Sequence, residues 1–114
     1  MDLLEALDAV RAELAAVGIR GEVDARDVNP PGAWITIYEI THGVVVCGGD
    51  VVRVYVYLVV PDTGTTQAIT QLSEMLTSAK TVFDLEDSTY IQSLALPGGN
   101  SVPSMRLTVD VHTD

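Results

Sequence analysis

In a chain of 114 residues, 47% are apolar and sixteen acids face six bases, which gives a formal net charge of −10 and a pI near 4.3. That length suits a single domain over residues 1–114, and a mean hydropathy of +0.29 is too apolar for a chain that stays unfolded in water. One lysine and five arginines do not supply the clustered cations that generic binding to nucleic-acid phosphates needs.

The first predicted element is a helix from about Leu3 to Val17. Leu3, Leu7, Val10, Leu14 and Val17 recur at three- and four-residue steps and build one apolar stripe. Asp2 is placed to cap its start, and Gly18 follows the last stripe residue as a left-handed cap would. From Ile19 to Val28 a two-residue alternation predicts a short, partly exposed strand. Asn29-Pro30-Pro31-Gly32 then interrupts any ladder, because two prolines lack amide donors. Ala33 to Ile40 is rich in β-branched and aromatic residues and reads as the next strand.

Val44 to Cys47 is a short strand by the same rule, and Gly48-Gly49-Asp50 reads as a hairpin turn into a long strand, Asp50 to Val60. Val52, Val54, Val56, Leu58 and Val60 give that strand one aliphatic face, while Val51, Arg53, Tyr55, Tyr57 and Val59 make the other mixed. One face must pack on the helices, and the other can meet solvent, a second subunit or a ligand.

Pro61-Asp62-Thr63-Gly64 is a turn, and Thr65 or Thr66 is the expected cap of a second helix ending near Ala79. Ile69, Leu72, Leu76, Ala79 and Phe83 form its stripe, flanked by Ala68 and Met75. Asp84-Leu85-Glu86-Asp87 is an acidic linker, Tyr90 to Leu96 a strand, and Pro97 to Pro103 a mobile loop. The last strand alternates cleanly, with Met105, Leu107, Val109 and Val111 inward and Arg106, Thr108, Asp110 and His112 outward. The order α-β-β-β-β-α-β-β predicts an α+β fold, a mostly antiparallel sheet packed against two helices.

The familiar signatures of catalysis are missing. His42 and His112 have no partners at ligand spacing and read as surface histidines, and a single Cys47 in an apolar run reads as a buried, inert thiol. One cysteine cannot close an intramolecular disulfide, which suits a reducing compartment, and the acidic N-terminus has no export signal. The expectation is a cytoplasmic chain with no catalytic, metal or cofactor site. Gly48-Gly49 and Gly98-Gly99 lead into no helix and carry no lysine, so both read as turns rather than phosphate loops. Asp84, Glu86 and Asp87 lack the frame of a calcium loop. Trp34, Tyr38, Tyr55 and Tyr57 fit two readings, as sheet-face residues without a role or as a subunit interface, where Trp, Tyr and Arg concentrate.

Asn29-Pro30-Pro31-Gly32-Ala33-Trp34-Ile35 follows a short amphipathic helix, and Arg53-Val54-Tyr55-Val56-Tyr57-Leu58-Val59-Val60-Pro61-Asp62 precedes the second. This combination resembles the small tail terminator proteins of long-tailed (siphovirus-type) bacteriophages, particularly those of actinobacterial hosts. The element order extends the likeness over nearly the whole chain, while the scarcity of basic residues departs from the family. The resemblance implies a virion protein, assembled in the host cytoplasm, that closes into a homo-hexameric ring at the head-proximal end of the tail tube. Such a ring stops tube polymerisation, contacts the tail tube protein and the head-completion or stopper protein, and lets DNA pass through its lumen without specific binding. Trp34, Tyr38, Arg53, Tyr55 and Tyr57 are then the candidate assembly residues, with the Thr41–Gly43 and Pro97–Pro103 loops facing partners. The competing readings are another head–tail joining or tail-tube subunit, a small-ligand regulatory domain of ferredoxin-like type, and, with no residues to nominate, a small enzyme.

Overall fold

A computed structural model describes residues 3–42, 49–62, 64–97 and 101–112, with the side chains of 86 and 87 left aside. The chain runs α1 (Leu3–Ala16), β1 (Gly21–Glu22), a 3-10 turn (Ala25–Asp27), β2 (Gly32–His42), β3 (Asp50–Val59), α2 (Thr65–Lys80), β4 (Glu86–Ala95) and β5 (Ser101–His112). This is the predicted α+β architecture, and the described elements follow the predicted order with three of the four strands expected between the helices. The strand expected at Val44–Cys47 lies outside the described residues, as do Asp2 and the tips of both glycine turns.

The α1 stripe works as its spacing implies: Ala6, Leu7, Val10 and Leu14 are buried, and Leu3 at the first turn is left half-exposed. At the other end Gly18 adopts φ +82° and the Ile19 amide donates to the Leu14 carbonyl at 2.9 Å, a left-handed cap that glycine enters without Cβ strain. The strand expected over Ile19–Val28 shrinks to Gly21–Glu22. Its remainder is diverted because the Asp24 carboxylate accepts the Arg26 amide at 3.0 Å, and this local bond caps the 3-10 turn instead of leaving the backbone for a ladder.

The strand order is β1-β2-β3-β5-β4, with β1 parallel to β2 and all other neighbours antiparallel. The register aligns Ile35 with Val56 and Val56 with Leu107, so the aliphatic positions of three strands share one face. Both helices pack on that face. Ile35, Val54, Val56, Leu58 and Leu107 are fully buried beneath α1 and α2. At about 25 cal/mol per Å² of apolar surface removed from water, this layer is the main stabilising term of the fold.

Several boundaries differ from the sequence reading. Gly64, not Thr65 or Thr66, precedes α2, with φ +114° and no side-chain cap. The α2 stripe holds at Leu72, Leu76, Ala79 and Phe83, but at its start Ala68 is buried in place of Ile69, which is 55% exposed. The inward row runs through residues 68, 72, 75, 76 and 79, which are i, i+4, i+7, i+8 and i+11, and Ile69 lies off it. Residues 86 and 87, expected in an acidic linker, begin β4, because the long β5 offers a partner as far as Glu86–Thr108. Tertiary pairing overrides weak strand propensity here. Likewise β5 starts at Ser101 and takes in Pro103, whose carbonyl accepts the Val60 amide at 3.2 Å. Residues 98–100 of the expected loop lie outside the described residues.

Candidate interaction face

The helices leave the opposite face of the sheet uncovered over β3, the outer part of β2 and the facing parts of β5 and β4. Odd positions of β3 point there, and the register brings Trp34 beside Tyr57, Thr36 beside Tyr55, and Glu39 beside Arg53. On the other side of β3 it sets Tyr57 beside Arg106, Tyr55 beside Thr108 and Arg53 beside Asp110. All five sequence-predicted residues, Trp34, Tyr38, Arg53, Tyr55 and Tyr57, therefore share this face.

A continuous stack crosses it at right angles to the strands. A β-bulge between Ile37 and Glu39 leaves Tyr38 without a register partner, and its ring lies flat against Tyr55 with centroids 4.5 Å apart and planes at 11°. The Arg106 guanidinium covers the Tyr55 ring at 4.3 Å and meets the Tyr90 ring at 4.5 Å. One member thus comes from each of β2, β3, β5 and β4. Trp34 and Tyr57 stack beside it, with centroids at 5.1 Å, and Tyr57 meets Tyr55 edge-on at 6.1 Å. Thr108, expected outward in solvent, is buried under this layer at 3% exposure. The Arg106 Nε is also buried, and it has no hydrogen-bond partner among the described residues.

The stack is bounded by charge on one side and apolar contact on the other. Arg53 Nε donates to Asp110 Oδ1 at 3.0 Å, and its Nη1 lies 3.6 Å from Glu39 Oε1. Toward the other strand ends, Val28, Val59 and Val102 form a small cluster with Leu94, Leu96, Trp34 and Tyr57. The Trp34 indole donates to the Val23 carbonyl at 3.1 Å, which ties the segment before β2 over this end of the face. Desolvation within the stack raises the Tyr55 phenol above the ordinary tyrosine range. The Arg106 charge opposes that shift, and the Tyr38 hydroxyl adds to it.

The other candidates are scattered. His42 Nδ1 lies 3.1 Å from Asp50 Oδ1 at the end of the β2–β3 pair where the chain passes from one strand to the other, and His112 closes β5. Cys47 is outside the described residues. Among the described residues no cluster of three or more His, Cys, Asp or Glu is placed to hold a metal ion. Arg11 and Arg20 both reach Glu22, and Arg26 reaches Asp24 at 2.8 Å, where its hydrogen bonds hold that carboxyl below the usual aspartate range. A groove of about 460 Å³ between the start of α2 and β4 is lined by Ile69, Leu72, Ile91 and Val102 with a polar rim. That rim includes Asp62, Thr65, Ser93 and Ser101. Of the expected partner-facing loops, Thr41 and His42 belong to β2, and Gly43 lies outside the described residues.

Sequence reasoning missed Tyr90, Glu39 and the roles of Arg106 and Asp110. Alternation along β5 already put Arg106 and Asp110 on the outward side. Which side chains of other strands they meet is a matter of register, which no single strand encodes. Comparison of the chain with protein-family models and with curated proteins found no match to either.

Proposed function

We propose that this chain is a structural, ring-forming protein, the tail terminator of a long-tailed bacteriophage, which caps the head-proximal end of the tail tube and joins it to the head-completion proteins. The observation that carries the reading is the uncovered sheet face with its stack of aromatic rings and Arg106. A densely aromatic surface with few unpaired charges has the composition of the core of a protein–protein interface. Trp34 comes from the Pro30-Pro31-Gly32-Ala33-Trp34 segment and Arg53, Tyr55 and Tyr57 from the second segment that carries the family resemblance, so the resemblance and the face draw on the same residues.

Charge supports the same reading. Arg11, Arg20, Arg26 and Arg53 are each met by a carboxylate of their own chain. If the surplus acids line the lumen, like charge keeps DNA phosphate moving without holding it. Light scattering with negative-stain imaging tests the reading. Six-fold rings of about six times 12.2 kDa that halt growth of tail tubes in vitro are the expected result. A monomer or dimer at every accessible concentration, with tubes growing on unchecked in its presence, overturns it.

A further inference from the structure

The uncovered face says where a partner touches, but the two margins of the sheet say how copies join. Across the order β2-β3-β5-β4 every neighbour is antiparallel, so β2 and β4 at the two sides run in opposite directions. If a second copy is set beside the first by a simple rotation, its β2 meets β4 in the same antiparallel sense as the pairs within the chain. Among the described residues both margins are open. β1 covers β2 only at Ala33 and Trp34, so residues 35–42 have no backbone partner on their outer side among the described residues. Residues 90–95 of β4 likewise have none on the side away from β5.

Sheets that must stay unpaired guard their edges with lysine, proline or inward charge. Residues 35–42 and 90–95 hold no lysine and no proline, and the edge device β2 does carry is the bulge between Ile37 and Glu39. Tyr-Ile-Gln-Ser-Leu-Ala at 90–95 carries no charge and no proline. In residues 35–42 the one acid, Glu39, is turned to Arg53. The most exposed large apolar side chains of these margins are Ile91 at 68%, Tyr38 at 55% and Tyr90 at 46%. Tyr38 and Tyr90 are also the two ends of the cross-strand stack, so one margin ends in a ring where the other begins with one.

The geometry points to a second copy of this chain as the occupant of each margin: residues 90–93 of one copy pair with residues 35–38 of the next, short of the two β2 positions that β1 covers, and Tyr90 comes to lie beside the next copy's Tyr38. The contact is heterologous, one edge meeting a different edge, which is the type of contact that closes into a ring. It would run the sheet and the stack on from copy to copy. The inference rests on the ring reading above and specifies its joint.

Cysteine pairing in a Cys47→Ser background tests it. Facing residues on adjacent antiparallel strands fall within disulfide reach, so mild oxidation of the Tyr38→Cys/Tyr90→Cys double variant is expected to give a ladder from dimer upward on a non-reducing gel. Either single variant should stay monomeric on that gel. Both positions are half-exposed, and circular dichroism confirms that the variants fold. Rings seen by light scattering without a ladder overturn the edge joint and leave the ring reading standing. A ladder from chains that form open filaments supports the joint and overturns the ring. A single variant that cross-links to itself shows a two-fold contact and overturns the joint. A monomer throughout, with no ladder, overturns both.

Discussion

Tyr55 sits in the middle of the cross-strand stack, and replacing it with leucine removes three ring contacts while keeping most of the apolar bulk. The contacts are the parallel stack on Tyr38 at 4.5 Å, the edge contact with Tyr57 at 6.1 Å and the Arg106 guanidinium at 4.3 Å. Aromatic pairs contribute roughly 0.5–1.5 kcal/mol beyond their area, and a partly exposed cation over a ring contributes roughly 0.5–1 kcal/mol. The face is half open to water, so the low end of each range applies and the expected loss is about 1.5 kcal/mol. For a domain of this size that lowers the thermal midpoint by roughly 5–10 °C. Tyr38→Leu removes one stacked pair at the exposed end and should lower stability by only about 0.5–1 kcal/mol. Thermal and urea melts at one fixed low protein concentration read the difference, because assembly otherwise shifts the apparent stability. A cycle pairing Tyr55→Leu with Arg106→Met should return a coupling of about 0.5–1 kcal/mol. Equal losses from Tyr55→Leu and Tyr38→Leu, or a coupling of zero, would refute the stack as a unit.

Two further outcomes follow from the backbone and from ionisation. Gly64 holds φ +114° with open space around its α-carbon, so Gly64→Ala should lose about 1–2 kcal/mol through backbone strain alone, and an unchanged urea midpoint would count against that geometry. The Tyr55 proton is held more tightly in the folded chain than in the unfolded one, so folding stability should fall as pH rises past the ordinary tyrosine value near ~10. Denaturant melts across that range should show the decline in the parent chain and a shallower one in Tyr55→Phe.

Much of this architecture is written locally. The α1 stripe, the Gly18 cap and the two-faced strand β3 follow from spacing and residue type, because 3.6- and 2-residue periods decide which side chains can share a face. Weak or polar segments were not legible in the same way. Asp24 draws its neighbours into a 3-10 turn, and β4 reaches back to Glu86 because β5 is long enough to pair with it at Thr108. The candidate face divides along the same line. That Arg53, Tyr55 and Tyr57 point together is a fact of alternation along one strand. That Tyr38, Arg106 and Tyr90 complete a stack with Tyr55 required a register, a bulge and a strand order.

By itself, then, the sequence determined an acidic, half-apolar α+β chain whose long strand has one face to bury and one to offer. It could do so because charge, composition and periodicity are properties of neighbouring residues. The tertiary structure decided what the offered face becomes: four strands, distant in sequence, contribute one side chain each to a single stack that runs from β2 to β4. Only the pairing of strands fixes which side chains meet across them, and that pairing is set by the whole core and not by any one segment.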